Sequence, residues 1–133
     1  MRENLEHVST GKEKIAVEIV AGIYLSAEPD RLIGLAEMFD YKKRTNQITI
    51  GYRINEAYWH RGIATETVAL LIAYLCDDIG IQTIKAFVMP ENKYSERVLM
   101  NNGFTKIRIW FRVKTGVEKK WLVCTYLITK MVM

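Results

Sequence analysis

Residues 51–67 read GYRINEAYWHRGIATET. Just upstream, Gln47–Ile54 alternates. Ile48, Ile50, Tyr52 and Ile54 fall on one face and Thr49, Gly51 and Arg53 on the other, the period of a strand. Downstream, Val68, Leu71, Ile72, Leu75 and Ile79 recur at helical spacing, so a helix is expected over 65–79, with Gly80 as its left-handed cap. A strand therefore passes through a loop with one glycine, Gly62, straight into a helix. Gly62 lets backbone approach a ligand closely, and the small Ala64 keeps the entry open. The first N–H groups of the helix, near Ile63, Ala64 and Thr65, have no partner within it and carry the positive end of its dipole. With His60 and Arg61 as added donors, this is a cradle for a diphosphate that needs no metal. On this loop alone, an ordinary strand-to-helix turn is the plainer alternative. It is not a Walker loop, because no Gly-Lys-Ser/Thr follows, and not a three-glycine dinucleotide fingerprint.

Outward from this segment the chain reads as mixed α/β. Gly22–Ala27 and Leu32–Phe39 are expected to form a hairpin about the turn Glu28-Pro29-Asp30, and residues 1–20 a polar, partly helical lead-in. After the helix come a strand at Thr83–Met89, a break at Pro90, and a helix capped by Asn92 and running to Asn101. Thr105–Val113 alternates, with Ile107, Ile109, Phe111 and Val113 inward. Thr115-Gly116 turns the chain, and Trp121–Thr129 returns as a strand apolar on both faces. The predicted order is β-β-β-α-β-α-β-β in a single domain over 1–133.

Composition narrows the function. The 133 residues are 50% hydrophobic and 26% charged, the balance of a folded domain rather than a disordered chain. Two cysteines, Cys76 and Cys124, exclude a disulfide scaffold and a C-x-x-C zinc site, and two histidines, His7 and His60, argue against a histidine-rich metal site. No apolar run reaches membrane-spanning length, and a reduced, cytoplasmic setting fits the thiols. The net charge of +4 is uneven: residues 67–133 carry ten Lys/Arg against five Asp/Glu. A basic end of this kind suits an anionic ligand or partner, with a solvated face as the plainer alternative. Trp110 lies within that basic stripe, between Lys106, Arg108 and Arg112.

A second segment, Met89–Phe104 (MPENKYSERVLMNNGF), adds to the first. Together, Gly51-Tyr52, Tyr58-Trp59-x-x-Gly62-x-Ala64-Thr65-Glu66 and Pro90-x-Asn92-x-x-Ser95-x-x-Val98-Leu99-x-x-x-Gly103-Phe104 closely resemble the GNAT superfamily of acetyl-CoA-dependent N-acetyltransferases. Their nearest branch resembles the RimJ/RimL-type ribosomal-protein N-acetyltransferases. The resemblance implies a mixed central sheet of about six strands with helices on its faces. The family's first strand and first helix would be missing, and 21–133 would form a coenzyme-binding core. It implies acetyl-CoA as co-substrate, with Arg53 and Ile54 beside the pantetheine arm. Backbone amides of Arg61, Gly62, Ile63, Ala64 and Thr65 would hold the pyrophosphate, His60 would stand near a phosphate, and Asn92 would contact the coenzyme arm. Ser95 matches the serine that protonates the departing thiolate, with Tyr94 as a fallback acid.

The resemblance is incomplete at the base. Some relatives carry a glutamate two residues before Gly-Tyr, where this chain has Thr49. Glu37 is the substitute that pattern favours, on a strand face with Ile33, Leu35 and Phe39, where partial burial would raise its pKa. The plainer alternative is a solvated carboxylate at a strand end. Glu56 and Glu91 are weaker candidates. Three functions follow: acetyl transfer to a primary amine of a small molecule or protein N-terminus, coenzyme binding without transfer, and, least supported, nucleic-acid binding. The short N-terminus and the two-sided apolar last strand point to a homodimer that completes the acceptor cleft.

Overall fold

The structure, a computed structural model, describes residues 2–7, 17–114 and 119–129, with side chains over 18–107 and 125–129. Seven strands are described: β1 (Arg2–His7), β2 (Val17–Ile23), β3 (Gly34–Lys42), β4 (Gln47–Ile54), β5 (Thr83–Val88), β6 (Thr105–Lys114) and β7 (Lys119–Thr129). They form one mixed sheet in the order β1-β2-β3-β4-β5-β7-β6. Only β4 and β5 run parallel, because a helical crossover joins them, as parallel neighbours require. That crossover holds α1 (Ile63–Ile72), which continues as a π-helical segment, Ala73–Ile79, and ends at Gly80 with φ of 91°. Helix α2 (Lys93–Asn101) connects β5 to β6.

Both helices pack on one face of the sheet. Val68, Leu71 and Leu75 from the crossover and Val98 and Leu99 from α2 are buried against Met38, Ile50, Ile84 and Tyr126. Asn102 ties the helices together, its side-chain amide donating to the carbonyls of Thr65 (3.1 Å) and Val98 (3.0 Å). Tyr126 of β7 donates to the carboxylate of Glu96, fixing the first turn of α2 to the sheet.

Several expectations hold and several shift. Strand β4 occupies Gln47–Ile54, as its alternation predicts, and Asn92 caps α2. The strand expected at Gly22–Ala27 lies earlier, at Val17–Ile23. The β-branched run Val17, Ile19, Val20 and Ile23 takes the pairing with β3, while residues 24–33 fold as consecutive turns. In these turns the Glu28 amide donates to Leu25 and the Arg31 amide to Glu28. The second strand begins at Gly34, not Leu32, and Ile33 turns into the core, so it does not share the face of Glu37.

In place of a polar lead-in, Arg2–His7 pairs antiparallel with β2, from Arg2 opposite Gly22 to His7 opposite Val17. An N-terminal strand is therefore present where the first strand was expected to be missing, and it raises the count from about six to seven. Pairing with the open edge of β2 outweighs its weak local pattern. Ile107, expected inward, is 51% exposed, because the β6–β7 register shifts between Lys106 and Arg108. The inward placement of Ile109, Phe111 and Val113, the stripe around Trp110 and the turn at Thr115-Gly116 lie outside the described residues or side chains.

Candidate active site

Strands β4 and β5 pair only from Gln47–Ile50 against Thr83–Ala86. Beyond that, Gly51–Ile54 stays bonded to β3 alone, while Phe87 and Val88 follow β7. The sheet splits here. The Asn55 amide donates toward β3, to the Ile33 carbonyl (2.8 Å), and the Ile54 carbonyl accepts on the other side from the Trp59 indole (2.7 Å). Alternation along an extended strand then turns the Tyr52 and Ile54 amides into the opening. Gly34 holds β3 close at this point: a Cβ on it would collide with the Arg53 carbonyl oxygen.

A cavity of about 360 Å3 fills the opening on the helix-bearing face. Its walls include Arg53, Ile54, His60, Ala64 and Asn92, five of the residues expected to hold the coenzyme. Arg61, Gly62, Ile63 and Thr65 are not among its walls; they flank Ala64, which is. Gly62 sits at φ of 76° immediately before α1, and a Cβ on it would meet nothing within 4 Å, so the backbone is open to a ligand. Glu66 bonds back to the Gly62 carbonyl, so the amides of Ile63, Ala64 and Thr65 precede the first intrahelical bond. Ile63 and Ala64 bury their side chains in the core and so anchor those amides. Arg61 lies over the Tyr58 ring (5.1 Å), and His60, itself at φ of 65°, meets Tyr94 edge-on (5.7 Å). A loop backbone held at positive φ beside a cavity is the strain expected where a ligand is bound.

The expected catalytic residues divide between two sites. Tyr94 and Ser95 line the main cavity, both half-buried. The Asn92 side-chain oxygen accepts from the Ser95 amide (3.1 Å), so Asn92 positions Ser95 and keeps its own amide nitrogen for a ligand. Glu37 is instead on the opposite face of β4. It lines a second cavity of about 200 Å3 with Leu35, Phe39, Gly51, Arg53 and Phe87. Its carboxylate oxygen lies 3.9 Å from where a Gly51 Cβ would be. The sequence reading missed Tyr52, Tyr58 and Trp59, which also line the main cavity. The Tyr52 hydroxyl is buried and makes no fully formed hydrogen bond, with the Ser95 side chain beside it. Burial pushes its pKa above the ordinary tyrosine value; hydrogen bonding toward Ser95 opposes that shift, and the charge of Tyr94 adds to it. The Gly51-Tyr52 pair was the available signal, but alternation marked Tyr52 only as a core-facing residue. Among the described residues, no three His, Cys, Asp or Glu side chains cluster as metal ligands.

A splayed strand pair, unpartnered helix-start amides and an orphaned hydroxyl at the cleft's base together fit a thioester-bearing diphosphate such as acetyl-CoA. Comparison with known proteins points the same way. The acetyltransferase (GNAT) domain matches residues 3–105. The Probable N-acetyltransferase YjcK of Bacillus subtilis (strain 168) is 40% identical over 86 residues, 64% of this chain and 47% of that protein. The chain spans less than half the length of the curated relatives it matches. In fold it is similar to the spermidine N-acetyltransferase from Vibrio cholerae in complex with CoA and spermine. The TM-score is 0.75 at 16% identity, covering 84% of this chain and 65% of that one. It is also similar to the Microcin C7 self immunity acetyltransferase MccE in complex with acetyl-CoA and AMP. Here the TM-score is 0.73 at 17% identity, covering 85% and 61%. Motif, fold and family match converge: the chain belongs to the GNAT acetyltransferase family.

Proposed function

We propose that the chain is an N-acetyltransferase that moves an acetyl group from acetyl-CoA to a primary amine by direct attack. The observation that carries this reading is the split between β4 and β5, which opens toward the N-terminus of α1. The amides of Ile63–Thr65 hold the diphosphate, and Arg53, Ile54 and Asn92 flank the pantetheine arm. The Tyr52 and Ile54 amides face the thioester carbonyl, where donors aimed at developing negative charge contribute most.

The acceptor enters from the second cavity, on the other face of β4. Glu37, directly across from Gly51 on β3, replaces the glutamate that relatives carry at the position of Thr49. It takes the proton that the attacking amine must lose. As the C–N bond forms and the C–S bond breaks, Ser95 gives its proton to the departing thiolate. Tyr94 stands beside it as the alternative acid. Placing base and acid on opposite faces lets both substrates meet in line at β4.

The paired motifs favour the RimJ/RimL-like branch. The similar structures include a spermidine N-acetyltransferase and a putative ribosomal-protein-serine acetyltransferase, which suggests which amines to try. Thiol release from acetyl-CoA should be followed with spermidine, an amino acid, an aminoglycoside and a serine-initiated peptide. Release with at least one of them is expected. Binding without release on any amine would instead favour a coenzyme-binding module, a reading that Thr49 supports because its buried hydroxyl replaces the family carboxylate.

A further inference from the structure

Three buried side-chain oxygens make no hydrogen bond among the described residues: Thr49 Oγ1, Tyr52 OH and Thr125 Oγ1. Of these three residues only Tyr52 lines the main cavity, beside Ser95. Buried hydroxyls are normally paired, so one left single at a cleft is poised for a partner that arrives or turns toward it. Ser95 needs such a partner. Its backbone is pinned by Asn92, its side chain already stands beside the Tyr52 hydroxyl without a fully formed hydrogen bond, and a serine hydroxyl can rotate both its oxygen and its hydrogen.

We propose that Tyr52 is a positioning residue for acetyl transfer. With both substrates bound, its hydroxyl donates a hydrogen bond to Ser95 Oγ, leaving the Ser95 hydrogen aimed at the departing sulfur. The inference rests on the acetyl-transfer reading above. Tyr52 suits the role because β4 holds it rigidly, opposite Ala36 on the core-facing side. Burial also keeps it protonated, and therefore a donor, at neutral pH. The proton lost by Ser95 goes to sulfur, Tyr52 keeps its own, and water returns a proton to Ser95 as Glu37 releases the amine's proton to solvent.

The test is Tyr52→Phe, made in the wild-type chain and in a Ser95→Ala background, with kcat, KM for acetyl-CoA and melting temperature measured for each. In the wild-type chain kcat should fall on the order of tenfold with KM unchanged. The melting temperature should hold or rise, since the removed hydroxyl is buried without a fully formed hydrogen bond in the unliganded chain. In the Ser95→Ala background the same change should cost nothing further. An unchanged kcat, an equal loss in both backgrounds, or a lower melting temperature with a raised KM would each overturn the proposal. If the wild-type chain releases thiol and Tyr52→Phe does not alter it, only this inference fails. A wild-type chain that releases no thiol sinks the transfer reading and this inference together.

Discussion

The two faces of β4 are built in different ways. On the helix-bearing face, the cavity takes its walls from two short segments: residues 52–64, from the end of β4 to the start of α1, and residues 92–95, at the start of α2. On the opposite face, the smaller cavity is assembled from three strands: pairing of β3 with β4 brings Glu37 across from Gly51, and Phe87 comes from β5 just past the point where it leaves β4; Tyr52 and Arg53 line both cavities. Glu37 and Arg53 there form no ion pair among the described residues. The first arrangement ties its chemistry to caps and two helix starts. The second depends on register. Coenzyme binding should therefore be separable from acceptor chemistry by mutation.

The largest expected effect is at Gly62. Gly62→Glu places a carboxylate at the anion-facing rim and forces a side chain to φ of 76°, costing about 1–2 kcal/mol of stability. Binding of acetyl-CoA, read by calorimetry, should disappear while the fold persists. Next come the two faces themselves. Ser95→Ala and Glu37→Gln should each lower kcat by roughly 10²-fold and leave acetyl-CoA affinity as it was. If Glu37→Gln weakened coenzyme binding instead, the separation of the faces would be wrong.

The smallest effect concerns the support of α2. Tyr126, burial, Lys93 and Lys106 act on the Glu96 carboxyl in that order, and the hydrogen bond from Tyr126 dominates, so its pKa lies below the ordinary 4.5. A depressed carboxylate stabilises the fold above its unfolded value and loses that contribution as pH falls through the folded one. The melting temperature of the wild-type chain should therefore drop more steeply below pH 4.5 than that of Glu96→Gln. Parallel curves would show that the link does not hold α2.

Much of the helix-bearing face was legible in sequence. Alternation bounded β4 at Gln47–Ile54, and Asn92 and Gly80 marked helix ends where the structure has them. These features are local, so residue type and spacing determine them. What was hidden depends on pairing between distant segments. Arg2–His7 becomes a strand only because β2 offers an edge, and β2 itself moves to Val17–Ile23 because its β-branched residues find β3. Ile107 is displaced by a register shift that alternation cannot foresee. The divergence of β4 from β5 after Ile50, on which the site depends, has no sequence signature of its own. Tyr52 was hidden for a related reason: its place on the core-facing side predicts packing, and only the third dimension shows that its hydroxyl reaches a cleft beside Ser95.

The central claim is that the opening between β4 and β5 binds acetyl-CoA. The most direct measurement is the melting temperature of the wild-type chain with and without saturating acetyl-CoA. A clear rise is expected, with stabilisation of about 2.7 kcal/mol at a hundred times the dissociation constant. An unchanged melting temperature at every acetyl-CoA concentration would contradict it.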